Sequence, residues 1–167
     1  MATRTERLAR EFEDANQEFT ETVQVVSEED WRNICPAETW TVGVTAHHVA
    51  DSYELAIDVL QALAAGESRT VTAEMLDELN AEHAVRHAGC TREETVRLLQ
   101  SNGEKASTAI RSLPDEALDT SHEVPYLGDE PVTLEQFVRI CLTGHHGAHL
   151  PSIRDAAPSA TRTKVRW

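Results

Sequence analysis

Cysteine is scarce in this chain of 167 residues: Cys35, Cys90 and Cys141 stand far apart, with no CxxC spacing among them. An odd, dispersed set excludes a disulfide framework and a cysteine zinc site. Positive charge is also thin, 15 Lys and Arg against 29 Asp and Glu, for a formal charge of -14. Such a surface repels phosphate backbones and anionic lipid, and its one basic cluster is the terminal "RTKVRW", so nucleic acid is excluded as a partner. No run of 18 apolar residues is present, which excludes a membrane-spanning helix. The N-terminal "MATRTERLAREFED" lacks the apolar stretch of a secretory signal, so the expected location is the cytoplasm. What remains is a chain 40% hydrophobic, enough for one globular domain, expected over residues 1–157 with a C-terminal tail at 158–167.

Strand patterning is missing too, and helical patterning takes its place. Leu8, Phe12, Ala15, Phe19 and Val23 recur at helical spacing across a first segment, Thr3 to Val26, free of Gly and Pro. A connector with Pro36 and two tryptophans leads to Thr41, an N-cap for a second helix ending before Gly66. "TAEMLDELNAEHAVRHAG" reads as a shorter helix closed by Gly89. Thr91 with Glu94 forms a capping box that opens a helix stopped by Pro114, and Thr133 with Gln136 forms another that opens the last helix. The intervening "LDTSHEVPYLGDEPV" is a loop with room for a short hairpin. Four long helices without strands predict an all-α four-helix bundle. Pro151 is expected to kink the last helix one turn earlier or to end it soon after.

Five histidines fall on two of these helices, as "TAHHVADSYE" and "TGHHGAHLPS". On a wheel of about 100° per residue, Val42, Val49, Leu55, Ile57, Val59 and Leu60 share one face of the second helix, with His48 on its flank between Leu55 and Val59. His47 falls with Asp51, Glu54 and Asp58 on the charged side. In the last helix Leu134, Phe137, Val138, Cys141, Leu142 and Ala148 make a stripe that contains His145 and His149. His146 falls at the polar edge. His145 and His149, four apart, stack on consecutive turns and can converge on one point. A lone inward histidine is ordinarily a hydrogen-bonded core residue, but three on two helices of a bundle point to a divalent metal held by His48, His145 and His149. Neutral imidazoles suit zinc, nickel or ferrous iron, and ligand type alone does not choose among them; zinc is the expected ion, and three ligands leave open positions. The HExxH pattern of zinc proteases is not met, since His146 stands where its glutamate would be. His83 and His87, in "HAVRH", read as surface, with the lining of a site mouth as the lesser alternative; Cys141, one turn before His145, reads as a small buried hydrophobe or a pocket wall.

"WTVGVTAHHVADS", Trp40 to Ser52, resembles the W-[ST]-x(5 or 6)-H-[LV]-A-[DE] signature of the DinB-like superfamily, and "HHGAHL" resembles its closing histidine motif. The resemblance extends over essentially the whole chain. It implies an up-up-down-down bundle, a homodimer, and a divalent metal on one histidine of the second helix and two of the last, which here are His48, His145 and His149. Among the superfamily's branches the chain is most similar to the bacillithiol transferases and the mycothiol-dependent enzymes, including maleylpyruvate isomerases. Two departures are its length, which leaves no room for the isomerases' extra C-terminal domain, and Pro151 just after the third ligand. The function so implied is a metal-dependent S-transferase joining a low-molecular-weight thiol to an electrophilic small molecule, and the alanine-rich, lysine-poor composition puts mycothiol ahead of bacillithiol. Metal-assisted hydrolysis or detoxification, including self-resistance, and non-catalytic metal or ligand binding are the alternatives on the same scaffold.

Overall fold

The computed structural model describes residues 2–161. Residues 162–167, the basic part of the expected tail, lie outside the described residues. The long helices are α1 (Arg4–Gln24), α2 (Val42–Ala64), α3 (Ala73–Arg86) and α4 (Arg92–Arg111). The last helix is composite: α5 (Leu134–Phe137) passes through a π-helical stretch (Val138–Thr143) into α6 (Gly144–Ala156). The starts follow their sequence signals. Thr3, Thr41, Thr72, Thr91 and Thr133 each cap a helix with the side-chain oxygen, and both capping boxes close in full. The loop before the last helix does hold a hairpin, of two-residue strands β1 (Ser121–His122) and β2 (Val132–Thr133).

Polar contacts along the bundle give each helix its direction. Thr5 N at the start of α1 donates to Asp115 Oδ1 beyond the end of α4 (3.0 Å), and Asn16 Nδ2 donates to the Leu99 carbonyl (3.2 Å), so these two helices are antiparallel. Asn102 Nδ2 donates to the Ala50 carbonyl (3.0 Å) and Lys105 Nζ to Glu54 (2.9 Å); α2 and α4 therefore run the same way. Ion pairs Arg4–Glu135 (2.7 Å) and Arg154–Glu18 (2.9 Å) align the last helix with α1. The four-helix bundle is as expected, but its directions are up-down-down-up rather than up-up-down-down. The connector between α1 and α2 folds on itself: Ile34 bridges Thr41, and Cys35 N bonds to the Trp40 carbonyl (2.7 Å). It returns the chain at the same end. The crossing is made later, between α2 and α4, and α3 lies along it.

Phe12, Phe19, Tyr53, Leu60, Leu99, Ile110, Phe137 and Leu142 are fully buried between the four helices. Trp31 closes the end of this core where α2 and α4 begin. Its Nε1 donates to the Cys90 carbonyl (2.9 Å), and its ring lies so close to Gly43 that a Cβ there would be 2.6 Å from Nε1. Gly43→Ala should therefore lose stability despite a helix-propensity gain of about 1 kcal/mol. Overpacking costs about 1–3 kcal/mol and the indole hydrogen bond is put at risk, so the expected net loss is about 1–2 kcal/mol, read as a lowered midpoint in thermal unfolding. Among the described residues no helix is long and apolar enough to cross a membrane.

Candidate metal centre

Three imidazoles meet where α2 faces α6. The His48 ring centroid lies 5.1 Å from that of His145 and 5.3 Å from that of His149, and the last two are 4.8 Å apart. One ring nitrogen from each falls within 4.8 Å of the other two. The three residues that the wheels turned inward are thus brought together, all half-buried. Burial, reinforced by the neighbouring imidazoles, pushes His48 down to about 3 and His145 well below the usual histidine value. Both are neutral, the state a metal requires of its ligands. His145 Nε2 is buried without a hydrogen-bond partner, a condition that a metal bond would relieve.

Glu38, in the folded connector, supports this centre, and sequence reasoning had not singled it out. Its Oε1 is 2.7 Å from His149 Nδ1, and Ser152 Oγ donates to its Oε2 (2.6 Å). Burial opposes ionisation of Glu38, but the hydrogen bonds from Ser152, His149 and the backbone together hold its carboxyl below the ordinary value. With a carboxylate on Nδ1, the His149 tautomer is set and Nε2 is left for a ligand bond, the usual outer arrangement of a metal-bound histidine. The next residue, Thr39, has φ +62, rare for a β-branched residue and a local strain beside the site. No spacing rule links Glu38 to His149 across more than a hundred residues, so only the fold could reveal it.

Two histidines depart from the wheel. His146, placed at a polar edge, is 2% exposed and packs on Phe12, Phe19 and Tyr53. Its Nδ1 bonds to the Thr143 carbonyl (3.1 Å) and its Nε2 to the Tyr53 hydroxyl, which also lies 2.9 Å from Asn16 Oδ1. The π-helical stretch is the reason. A four-residue step overshoots a regular α-turn by about 40°, so Leu134, Val138, Leu142 and His146 would drift off a common face. The wider turn removes that overshoot and keeps the four aligned. Gly144 allows it, because its N–H reaches back to the Arg139 carbonyl and a Cβ at this position would be 2.6 Å from that oxygen. Pro151 does not end the helix, which continues to Ala156; the distortion sits upstream, at 138–143.

His47, placed on a charged face, is 7% exposed because α3 covers it. His83, read as surface, is buried against it, with His83 Nε2 2.9 Å from His47 Nδ1, and His87 stacks on His47 at 4.1 Å. His83 also borders a cavity of about 550 Å³ between α2, α3 and the last helix, whose wall includes His48 and His145. Cys141 lines it as well. Burial pushes its thiol up to about 11, and Sγ is 3.7 Å from the Tyr126 hydroxyl, so it is a neutral wall of the cavity.

Residues 12–143 match the mycothiol maleylpyruvate isomerase N-terminal domain family, a stretch that contains His48 and stops just before His145. Among solved structures the chain resembles YfiT from Bacillus subtilis, described as a probable metal-dependent hydrolase with an unusual four-helix bundle topology. The TM-score is 0.72 at 18% sequence identity, covering 93% of this chain and 88% of that one. The comparison with curated proteins gives no match.

Proposed function

Since the chain belongs to the mycothiol maleylpyruvate isomerase N-terminal domain family, within the DinB-like superfamily, we propose that it is a metal-dependent S-transferase that joins mycothiol to an electrophilic small molecule. The observation that carries this reading is the position of His48 and His145, two of the three clustered histidines, in the wall of the 550 Å³ cavity, a volume suited to a small-molecule pair. His48, His145 and His149 would hold the ion, with zinc favoured. Bound there, a divalent metal lowers the pKa of a coordinating thiol and leaves positions open beyond its protein ligands.

The chain's own residues supply the rest. Burial keeps His48 and His145 unprotonated, and Glu38 holds His149 in one tautomer. Leu55, Leu76 and Leu79 on one side and Ile140 on the other give the cavity apolar walls for the electrophile. Asp51, Glu54, Asp58 and Glu82, against one cation, Arg86, give it a net acidic border. Carboxylates there accept hydrogen bonds from hydroxyl groups and repel anions, which favours an uncharged, hydroxyl-rich thiol such as mycothiol over an anionic one. Burial keeps the Cys141 thiol neutral, which favours a sulfur supplied from outside the protein.

The test is conjugation of a generic electrophile, followed with and without mycothiol, on protein purified without chelator and again after metal removal. Turnover that needs both thiol and metal is expected. Cys141→Ala should retain it, and loss of turnover in that variant with metal content unchanged would make the protein's own sulfur the nucleophile. Metal-assisted hydrolysis is the second reading, favoured by the likeness to YfiT, and metal-dependent turnover of an ester without thiol would select it.

A further inference from the structure

We propose a second metal site, formed by His47, His83, His87 and Asp51, that clips α3 onto α2. Helix α2 contributes His47 and Asp51, four residues apart; α3 contributes His83, and His87, four residues on, is its C-cap. Each pair presents its side chains from consecutive turns, and the two pairs face each other across the α2–α3 contact. One ring nitrogen from each histidine lies within 4.8 Å of the other two. Asp51 Oδ2 is 3.9 Å from His83 Nε2 and supplies an anionic fourth donor. Three imidazoles, with the Asp51 carboxylate beside His83, offer zinc or a similar divalent ion four protein donors, which would leave no position for substrate. That separates it from the three-histidine centre, and the inference stands independently of the proposed transferase.

The setting calls for such a clip. On α3 the only buried residue is His83, while Met75, Leu79 and Val85 are 44, 48 and 81% exposed. Apolar burial therefore holds α3 weakly, although α3 forms one wall of the cavity. Histidine fills the contact instead. His47 and His83 share one short N···N contact (2.9 Å), His87 stacks on His47, and His83 Nδ1 is buried with no partner. A packing role alone would favour apolar residues here, since buried polar atoms cost free energy when unpaired. The two centres adjoin, for His83 also contacts the His48 ring edge-on at 5.6 Å. An ion on the α2–α3 site would thus fix a cavity wall beside the first centre.

Zinc titration of the full chain, after chelator and dialysis, tests this by stoichiometry. Two equivalents are expected for the wild type and one each for His87→Ala and His145→Ala. One equivalent retained in His145→Ala but lost in His87→Ala would support the α2–α3 site and remove the three-histidine centre. One equivalent in the wild type, lost in His145→Ala and kept in His87→Ala, would overturn the proposal and leave that centre standing. A readout free of variants accompanies it: hydrogen exchange of amides 73–86 in the wild type should slow about tenfold or more on going from one to two equivalents of zinc, a change of about 1.4 kcal/mol in local opening. No slowing in α3 overturns the clip.

Discussion

His145→Ala is expected to abolish thiol-dependent turnover and ion binding at the three-histidine centre while the bundle stays folded; His146→Ala should do the reverse. The two residues are adjacent in sequence and opposite in role. His145 is half-buried, and its buried Nε2 has no partner, so its imidazole forms no hydrogen bond there that the fold would lose. Removing an outer partner of a metal ligand typically costs about 10- to 100-fold in affinity. Removing one of three ligands outright should exceed that, and Glu38→Gln, which weakens the carboxylate on His149, should fall within it. His146 instead fills the space between Phe12, Phe19 and Tyr53 and bonds to the Tyr53 hydroxyl. Its truncation leaves a cavity and an unpaired phenol, about 2–4 kcal/mol by analogy with large-to-small core changes. Zinc content and thermal unfolding of the two variants separate the roles. Equal loss of zinc from both, with equal stability, would mean that the cluster is not the ligand set.

That contrast also shows what the sequence could convey. Caps are local chemistry, a threonine oxygen three residues from the amide it meets, and those at Thr41, Thr91 and Thr133 were readable in the sequence. The pairing of His145 with His149 was readable because it needs only one turn of helix. Facing was not always readable, since a wheel assumes a uniform turn and an uncovered outer side. The π-helical stretch broke the first assumption at His146, and α3, lying over α2, broke the second at His47. Helix directions depended on whether the connector at 25–41 crosses the bundle or folds back, and length alone does not decide that. Glu38 depended on long-range contact and carried no pattern of its own.

Chelator-treated protein should lose its helical structure as pH falls from about 6.5 toward 4, and zinc should move that transition to lower pH. Burial holds His83 and His146 down at about 4, and His48 at about 3, against about 6.5 in an unfolded chain. The unfolded state therefore takes up protons first as pH falls, and each proton it binds in excess lowers stability by about 1.4 kcal/mol per pH unit. For His146, enclosed by aromatic rings with Glu18 the one charge that partly opposes its shift, the contribution is on the order of 3 kcal/mol. That contribution is whole above pH 6.5 and gone by about pH 4. His83 adds a similar order, and the two together are a large share of the 5–15 kcal/mol that a domain of this size has. Zinc binds neutral imidazoles in the native state and so stabilises it by mass action. Protons compete with it for the ligands, and the gain should shrink as pH falls. Far-ultraviolet circular dichroism across pH 8 to 3.5, with chelator and with excess zinc, measures both effects. Helix content unchanged to pH 4 in chelator would mean that these histidines are not held neutral by the fold, and coincident curves with and without zinc would mean that no ion is bound through them.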